Sequence, residues 1–441
     1  MNIKQRFNAL GLEIPVILTP QKIDAKWPVI ACDQFTQDRD YWEKARIAAD
    51  SSPSTLDLIF PEVFLGDANP EVRIKAVHSN MANYLEDGIF APPRQGFIYI
   101  ERDTPYQKGR RGLVAAVDLE KYEWQPTARP LIRCTEGTVE DRLPPRMNIR
   151  RGAPLELPHV LLLIDDETDS LLSALGEMAK KNSPIYDTPL MMESGRVTGW
   201  FLDAESSRSA DVFDFTAKKL EELCNRSVSR YGESGGTPFL FAVGDGNHSL
   251  ATAKGIWEEY KAVHGTFNHP CRYALVEIEN IYDPAIQFEP IHRIIIGAGF
   301  DETAALLLRL PDSSCHFVNS REELSRLVQQ EKTSNCFGLI AEGRYALVST
   351  SATGISTACL QPLLDEFVKT HSGMEIDYIH DEEEVFRLTN NASVKTAGIL
   401  LPPVQKAGLF ETVAQLGPLP RKSFSMGHSC EKRFYLECRA L

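Results

Sequence analysis

The apolar run Pro238-Phe-Leu-Phe-Ala-Val243 passes without a break into Gly244-Asp-Gly-Asn-His-Ser249 and then into a stretch of helical periodicity. Such a run, closed by glycine, reads as a buried strand that turns tightly into a helix. This order constrains the chain more than any other feature, because it demands a sheet with a helix packed on it. It also brings Asp245, Asn247 and His248 to the strand end and the helix mouth. The first amides of a helix have no intrahelical acceptor and the dipole there favours negative charge, so the turn suits an anion. The same residues also fit a plain helix start, with Asp245 and Asn247 as caps and His248 in solvent. The pattern alone leaves both readings open.

With 441 residues, 43% of them hydrophobic, the chain fills a large core as two closely packed lobes or one extended α/β unit. A formal charge of −14 argues against direct nucleic-acid binding and against an anionic membrane surface, yet leaves room for a small phosphate pocket. No run approaches transmembrane length and the opening Met-Asn-Ile-Lys lacks a signal-peptide core, so a soluble, cytoplasmic protein is expected. Nine scattered cysteines without a Cys-x-x-Cys pair read as reduced thiols, and nothing points to structural zinc, haem or flavin. Oligomeric state is not readable from the sequence.

Along the chain, an irregular segment from Pro15 to Trp42 carries Asp33, Gln34, Asp38 and Asp40. A helix is predicted from Pro70 to about Glu86, and strands over Gly96–Arg102 and Gly112–Trp124 pair as a meander. The region from Pro126 to Pro158 holds Arg129, Arg133, Arg142, Arg146, Arg150 and Arg151, which are either ion-paired within a loop or offered as forks to a phosphate. A strand over Val160–Ile164 ends in Asp165, Asp166 and Glu167, which either bind a divalent ion or, the safer reading, cap the following Leu171–Met178 helix. Helices follow over Ala210–Tyr231 and Ala251–His264, with a glycine-rich break at Gly232–Gly236 between them. The predicted fold class is α/β, with mixed sheets and flanking helices. Residues 1–297 form a main lobe containing the glycine turn; residues 298–441 form a second α/β lobe or extension, from which 419–423 return toward the cleft.

Several separated motifs resemble one family. They are Ala31-Cys-Asp-Gln-Phe-Thr36, Arg133-Cys-Thr-Glu136 through Asp141-Arg142, Gly244-Asp-Gly-Asn-His-Ser249, Ile291-His-Arg293 and Leu419-Pro-Arg-Lys-Ser423. Together they resemble the family known as domain of unknown function 1015, itself distantly similar to the ParB and sulfiredoxin nucleotide-binding superfamily. The usual turn in that family resembles Asp-Gly-His-His-Arg. Here Asn247 stands for the first histidine and Ser249 for the arginine, while Thr135 stands for a histidine upstream.

The resemblance implies a ParB/sulfiredoxin-like core elaborated by further α/β elements, and a nucleotide or phosphorylated metabolite held at the turn. ATP or another nucleotide with Mg²⁺ is the implied cofactor. Gly244, Gly246, Asn247 and Ser249 would cradle phosphate, with Arg142, Arg293 and Lys422 as counter-charges. Glu136 is the leading general base, Asp245 the leading Mg²⁺ ligand and His248 a stabiliser of the transferred group. The function expected is small-molecule phosphotransfer or phosphohydrolysis. A non-catalytic nucleotide- or metabolite-binding regulator and a structural or interaction protein are the alternatives, since Ser249 has one donor where arginine has five.

Overall fold

The computed structural model describes residues 1–441 except 207–208, 232–236, 267, 331–334, 353 and 391–393. The predicted break at Gly232–Gly236 therefore lies outside the described residues. Two units divide the chain: Met1–Ile286 together with Gly427–Leu441, and Gln287–Met426. The expected boundary at residue 297 thus falls earlier, and residues from Gly427 onward belong to the first unit rather than the second. Segments Val29–Ile30 and Phe434–Tyr435 pair as antiparallel strands, as do Leu155–Glu156 and Arg439–Ala440, and those ladders fix the assignment.

The first unit is a mixed sheet covered on both faces. Its strands run in the spatial order Tyr186–Pro189, Arg196–Asp203, Arg94–Asp103, Arg110–Asp118, Tyr273–Asn280, Leu161–Ile164, Phe241–Asp245, Ile132–Cys134 and Tyr122–Glu123. Alternation sorts the side chains between two cores. Phe97, Tyr99, Leu113, Ala115 and Val117 face one side, where Ala210–Tyr231 contributes Phe213, Ala217 and Leu220, and Asn247–His264 contributes Leu250, Ala253 and Trp257. Ile98, Ile100, Val114 and Ala116 face the other, packed with Val29, Ile30, Trp42 and, from the C-terminal segment, Phe434, Tyr435 and Leu436. The second face is thus closed by chain from both ends of the sequence.

Charge fastens the C-terminal segment as firmly as apolar packing does. The buried Arg102 guanidinium donates to the carbonyls of Cys430, Glu431 and Lys432. Arg433 lies 2.9 Å from Glu277 and hydrogen-bonds Glu437, while Arg439 donates to Glu156 at 2.6 Å. All of these side chains are buried, so each depends on its partner. Arg102→Ala leaves the Cys430 and Lys432 carbonyls without a donor, since Arg110 still donates to that of Glu431, and is expected to cost at least about 3 kcal/mol. Urea unfolding measures this directly, and a loss below about 1 kcal/mol would show that the anchor is dispensable.

The second unit carries a six-stranded sheet in the order Ser314–Val318, Arg344–Thr350, Asn335–Ala341, Thr396–Leu400, His292–Ile296 and Glu375–Ile379, with every pair antiparallel. Phe288–Pro290 and Phe424–Met426, where the chain enters and leaves this unit, pair with each other. No helix among the described residues is long and apolar enough to cross a membrane.

Glu279, fully buried in the first unit, has its carboxyl pushed up to about 8 by burial, with Arg110 pulling it down and Glu277 pushing it further up. Arg110 Nε stands 2.9 Å away but without the alignment of a hydrogen bond, so burial prevails. Against an ordinary value of 4.5, the folded chain therefore holds a proton that the unfolded chain releases. The stability this confers is complete below the ordinary value and is lost as pH rises through the folded one. The Tm of the wild type is expected to fall between about pH 5 and pH 8 relative to that of Glu279→Gln, whose amide mimics the protonated acid. Parallel pH profiles would contradict this.

Candidate functional site

The strand Phe241–Asp245 lies parallel to Ile132–Cys134, Val243 opposite Cys134, and antiparallel to Leu161–Ile164. Its register against the latter shifts between Val243 and Asp245, a bulge that re-aims the Asp245 side chain at the strand end. Pro238, Phe239 and Leu240, predicted as strand, precede the ladder rather than join it. Gly246 follows at φ +84°, and a Cβ there would sit 3.1 Å from the Val160 backbone. Both the left-handed turn and the close approach therefore require glycine. The helix begins at once, spanning Asn247–His264 and thus starting four residues before the predicted Ala251. Gly246 is its N-cap and no side chain caps it, so the first-turn amides lack the cap that Asp245 or Asn247 was expected to supply.

Asn247 turns sideways instead. Its Oδ1 accepts from the Thr135 amide at 3.2 Å, and the Thr135 hydroxyl donates to the Val243 carbonyl at 2.6 Å. Two of the three positions that depart from the usual family pattern are thus hydrogen-bonded partners, and together they tie the turn to the neighbouring strand. His248 Nε2 accepts from the Val139 amide at 3.2 Å, which pins the loop containing the half-buried Glu136. His248 holds the wall of the site, a role its sequence position did not disclose. Ser249 is half-buried in the same first turn.

Three residues that sequence reasoning left out of the site stand around Asp245. Lys432 Nζ lies 3.6 Å from Asp245 Oδ1, and Asp245 Oδ2 is buried without a hydrogen-bond partner. His159, next to the Val160 that Gly246 touches, places Nε2 3.9 Å from Asp33 Oδ2, and its Nδ1 meets the Tyr435 hydroxyl at 2.9 Å. The electrostatics join these groups into one centre. Burial raises Asp245, opposed by Lys432 and reinforced by the charge on Asp33. Burial also pushes Asp33 upward, but His159, Gln34 and Lys432 outweigh it and hold the carboxyl below its ordinary value. Glu62 is raised by burial despite the Arg146 guanidinium that grips it, and it too feels Asp33 and His159.

The arginine-rich region resolves largely into ion pairs within the chain. Arg146 binds Glu62, Arg150 binds Glu156, and Arg151 holds Glu259 with both arms. Arg133 is buried over the Phe239 ring and donates to the Pro130 and Thr237 carbonyls. Arg142 is exposed; its carbonyl accepts from Arg146. Asp166 accepts from the Leu171 amide at 2.9 Å, but the helix Leu172–Ala179 has no side-chain cap, and Asp165 and Glu167 pair with Arg230 instead of capping it.

In the second unit, Arg293 does not present its guanidinium to a ligand. It is fully buried and donates to Gln361 and to the carbonyls of Ile291 and Lys422, with Tyr378 beneath it. That internal commitment replaces the expected phosphate contact. Lys422 is exposed, at φ +60°. Among the described residues, no group of three or more His, Cys, Asp or Glu is arranged to hold a metal ion, and the nine cysteines are free.

Residues 17–367 match the family described as Protein of unknown function (DUF1015), and the chain belongs to that family. No curated protein matches. Among solved structures, the chain is similar to a conserved hypothetical protein from Pyrococcus furiosus, at 12% identity over 73% of this chain and 90% of that one, with a TM-score of 0.34. A free serine kinase in complex with AMP shares 11% identity over 73% of this chain and 87% of that one, with a TM-score of 0.35. SbnI from Staphylococcus aureus, with a C-terminal truncation, shares 10% over 74% and 81%, with a TM-score of 0.33.

Gly246→Ala is expected to cost about 2 kcal/mol, from the left-handed backbone and the approach to Val160. Gly66→Ala, with open space around it, should stay within about 0.5 kcal/mol. Chemical unfolding of the two variants side by side decides the point.

Proposed function

We propose that this protein binds a nucleotide or a related phosphorylated metabolite at the turn Gly244–Ser249 and transfers its terminal phosphoryl group to a small hydroxylated acceptor or to water. The observation that carries the reading is the start of the helix Asn247–His264 without a side-chain cap, beside Asp245, which both the Asp33 charge and the Lys432 ammonium reach. The first-turn amides donate to phosphoryl oxygens, and the carboxylates supply what phosphate alone would not need. The kinship with the ParB and sulfiredoxin superfamily belongs to this reading.

Asp33 is the better-placed general base. Its carboxyl is held below the ordinary range and is therefore ionised at neutral pH. It takes the proton of the attacking hydroxyl as the new O–P bond forms and the bond from phosphorus to the nucleotide's bridging oxygen breaks. Glu136, across the turn, is the alternative base expected from sequence. Asp245, with an unpartnered buried oxygen, fits a Mg²⁺ held jointly with phosphate oxygens, since Mg²⁺ commonly takes only one or two carboxylates. When bound, the ion supplies charge neutralisation to the phosphoryl group. His248 and the Asn247–Thr135 pair keep the two walls of the site in place.

A regulatory, non-catalytic nucleotide-binding role is the second reading. It draws on the neutral Ser249 and on the engagement of Asn247 with Thr135 instead of with a ligand. Calorimetry with ATP, ADP, CTP and pyrophosphate, with and without Mg²⁺, is expected to give saturable binding. Asp33→Asn should keep affinity within about threefold while lowering turnover at least about 100-fold. Turnover lost in Glu136→Ala but not in Asp33→Asn would move the base to Glu136. Binding without product would favour regulation, and no saturable binding across the panel would sink both readings.

A further inference from the structure

The C-terminal segment does more than close the second face of the sheet. Lys432 is 93% buried at its side chain, and its ammonium lies 3.6 Å from Asp245 Oδ1. An ammonium carries three donors, and a single ion contact at that distance leaves capacity for a further acceptor. The backbone around it is fixed from three directions. The Lys432 carbonyl accepts from Arg102, the Lys432 amide donates to the Ser429 carbonyl, and the next carbonyl, that of Arg433, accepts from Ala31, two residues before Asp33. The side chain is therefore aimed by rigid chain at the mouth of an uncapped helix, where Asp245 Oδ2 lacks a partner.

Resting on the nucleotide reading of the same site, we propose that Lys432 is a ligand-binding residue whose ammonium grips the phosphoryl oxygens of the bound polyphosphate. Lys432 lies beyond residues 17–367, the segment matched by the family. It supplies, from a distant part of the chain, a cation at a turn where position 249 holds a serine. Helix amides and the ammonium would approach the anion from separate elements, and Asp245 would be the residue to hold a divalent ion that neutralises the phosphate.

The competing explanation is that Lys432 only neutralises Asp245. Calorimetric binding of pyrophosphate without Mg²⁺ to the full chain separates the two, comparing wild type, Lys432→Gln, Lys432→Arg, Asp245→Asn and the double variant. Lys432→Gln is expected to weaken pyrophosphate binding about tenfold or more in both the wild-type and the Asp245→Asn backgrounds. Lys432→Arg should keep it within about threefold. Loss in the wild-type background alone, or no loss at all, overturns the proposal and leaves the nucleotide reading standing. Pyrophosphate binding that depends on Lys432, with no binding of any nucleotide, supports the proposal while removing the nucleotide reading. No binding of either by the wild type overturns both. Thermal melting checks each fold. Should Lys432→Gln not fold alone, the double variant, which leaves neither charge unpaired, carries the comparison against Asp245→Asn.

Discussion

Beneath the sheet of the first unit, the Arg102 guanidinium holds three consecutive backbone carbonyls, and the position of everything after Gly427 follows from that grip. A buried arginine cannot shed its charge at neutral pH, so its desolvation must be offset by acceptors in fixed places. Those acceptors are carbonyls rather than carboxylates, which makes the contact one between a strand and a stretch of backbone. With Arg433 and Arg439 set against buried glutamates, the segment has little freedom to slide. Lys432, in the middle of it, inherits that rigidity.

The site combines two kinds of precision. Backbone geometry provides one: a register shift, a left-handed glycine and a helix that starts without a cap. Long-range packing provides the other, bringing Asp33, His159 and Lys432 from three separate segments to a single carboxylate. The turn alone would be a weak anion site. The facing acids alone would repel an anion. Their juxtaposition is what the proposed reading rests on, because a polyphosphate with a divalent ion would present both signs of charge.

The mixed α/β class and the strand–turn–helix were legible in the sequence because apolar runs and glycines act locally. The helix Ala210–Tyr231 has the bounds that its spacing predicted. Helix Asn247–His264 starts earlier than periodicity suggested, since Asn247, His248 and Ser249 are polar and a first turn need not be apolar. Asp245 and Gly246 were visible as site residues for the same local reason. Lys432 was not, because nothing in its neighbourhood in the chain hints at Asp245. Asp33 was visible within a family-like block but lacked a reason for its chemistry until His159 and Lys432 appeared beside it. The arginines between Arg129 and Arg151 illustrate the converse: their density left ion pairing and a ligand equally open, and the partners that decide for ion pairing include Glu62 and Glu259, which lie far away in the sequence, with Glu156 close by.

The first unit is interrupted: the chain leaves it at Ile286 and resumes it at Gly427. Trp27 donates to the Leu436 carbonyl across 409 positions of sequence, and such contacts form slowly even though the entropy of closing a long loop grows only with its logarithm. During synthesis, the sheet and its glycine turn leave the ribosome long before the strand that covers them. A nascent first unit must therefore wait, with one face of its sheet only partly covered and its Arg102 and Glu277 unmatched, until the whole inserted unit has been made. Timing of translation thus enters the maturation of the site, and the nascent chain is exposed to aggregation for as long as the insertion takes to synthesise.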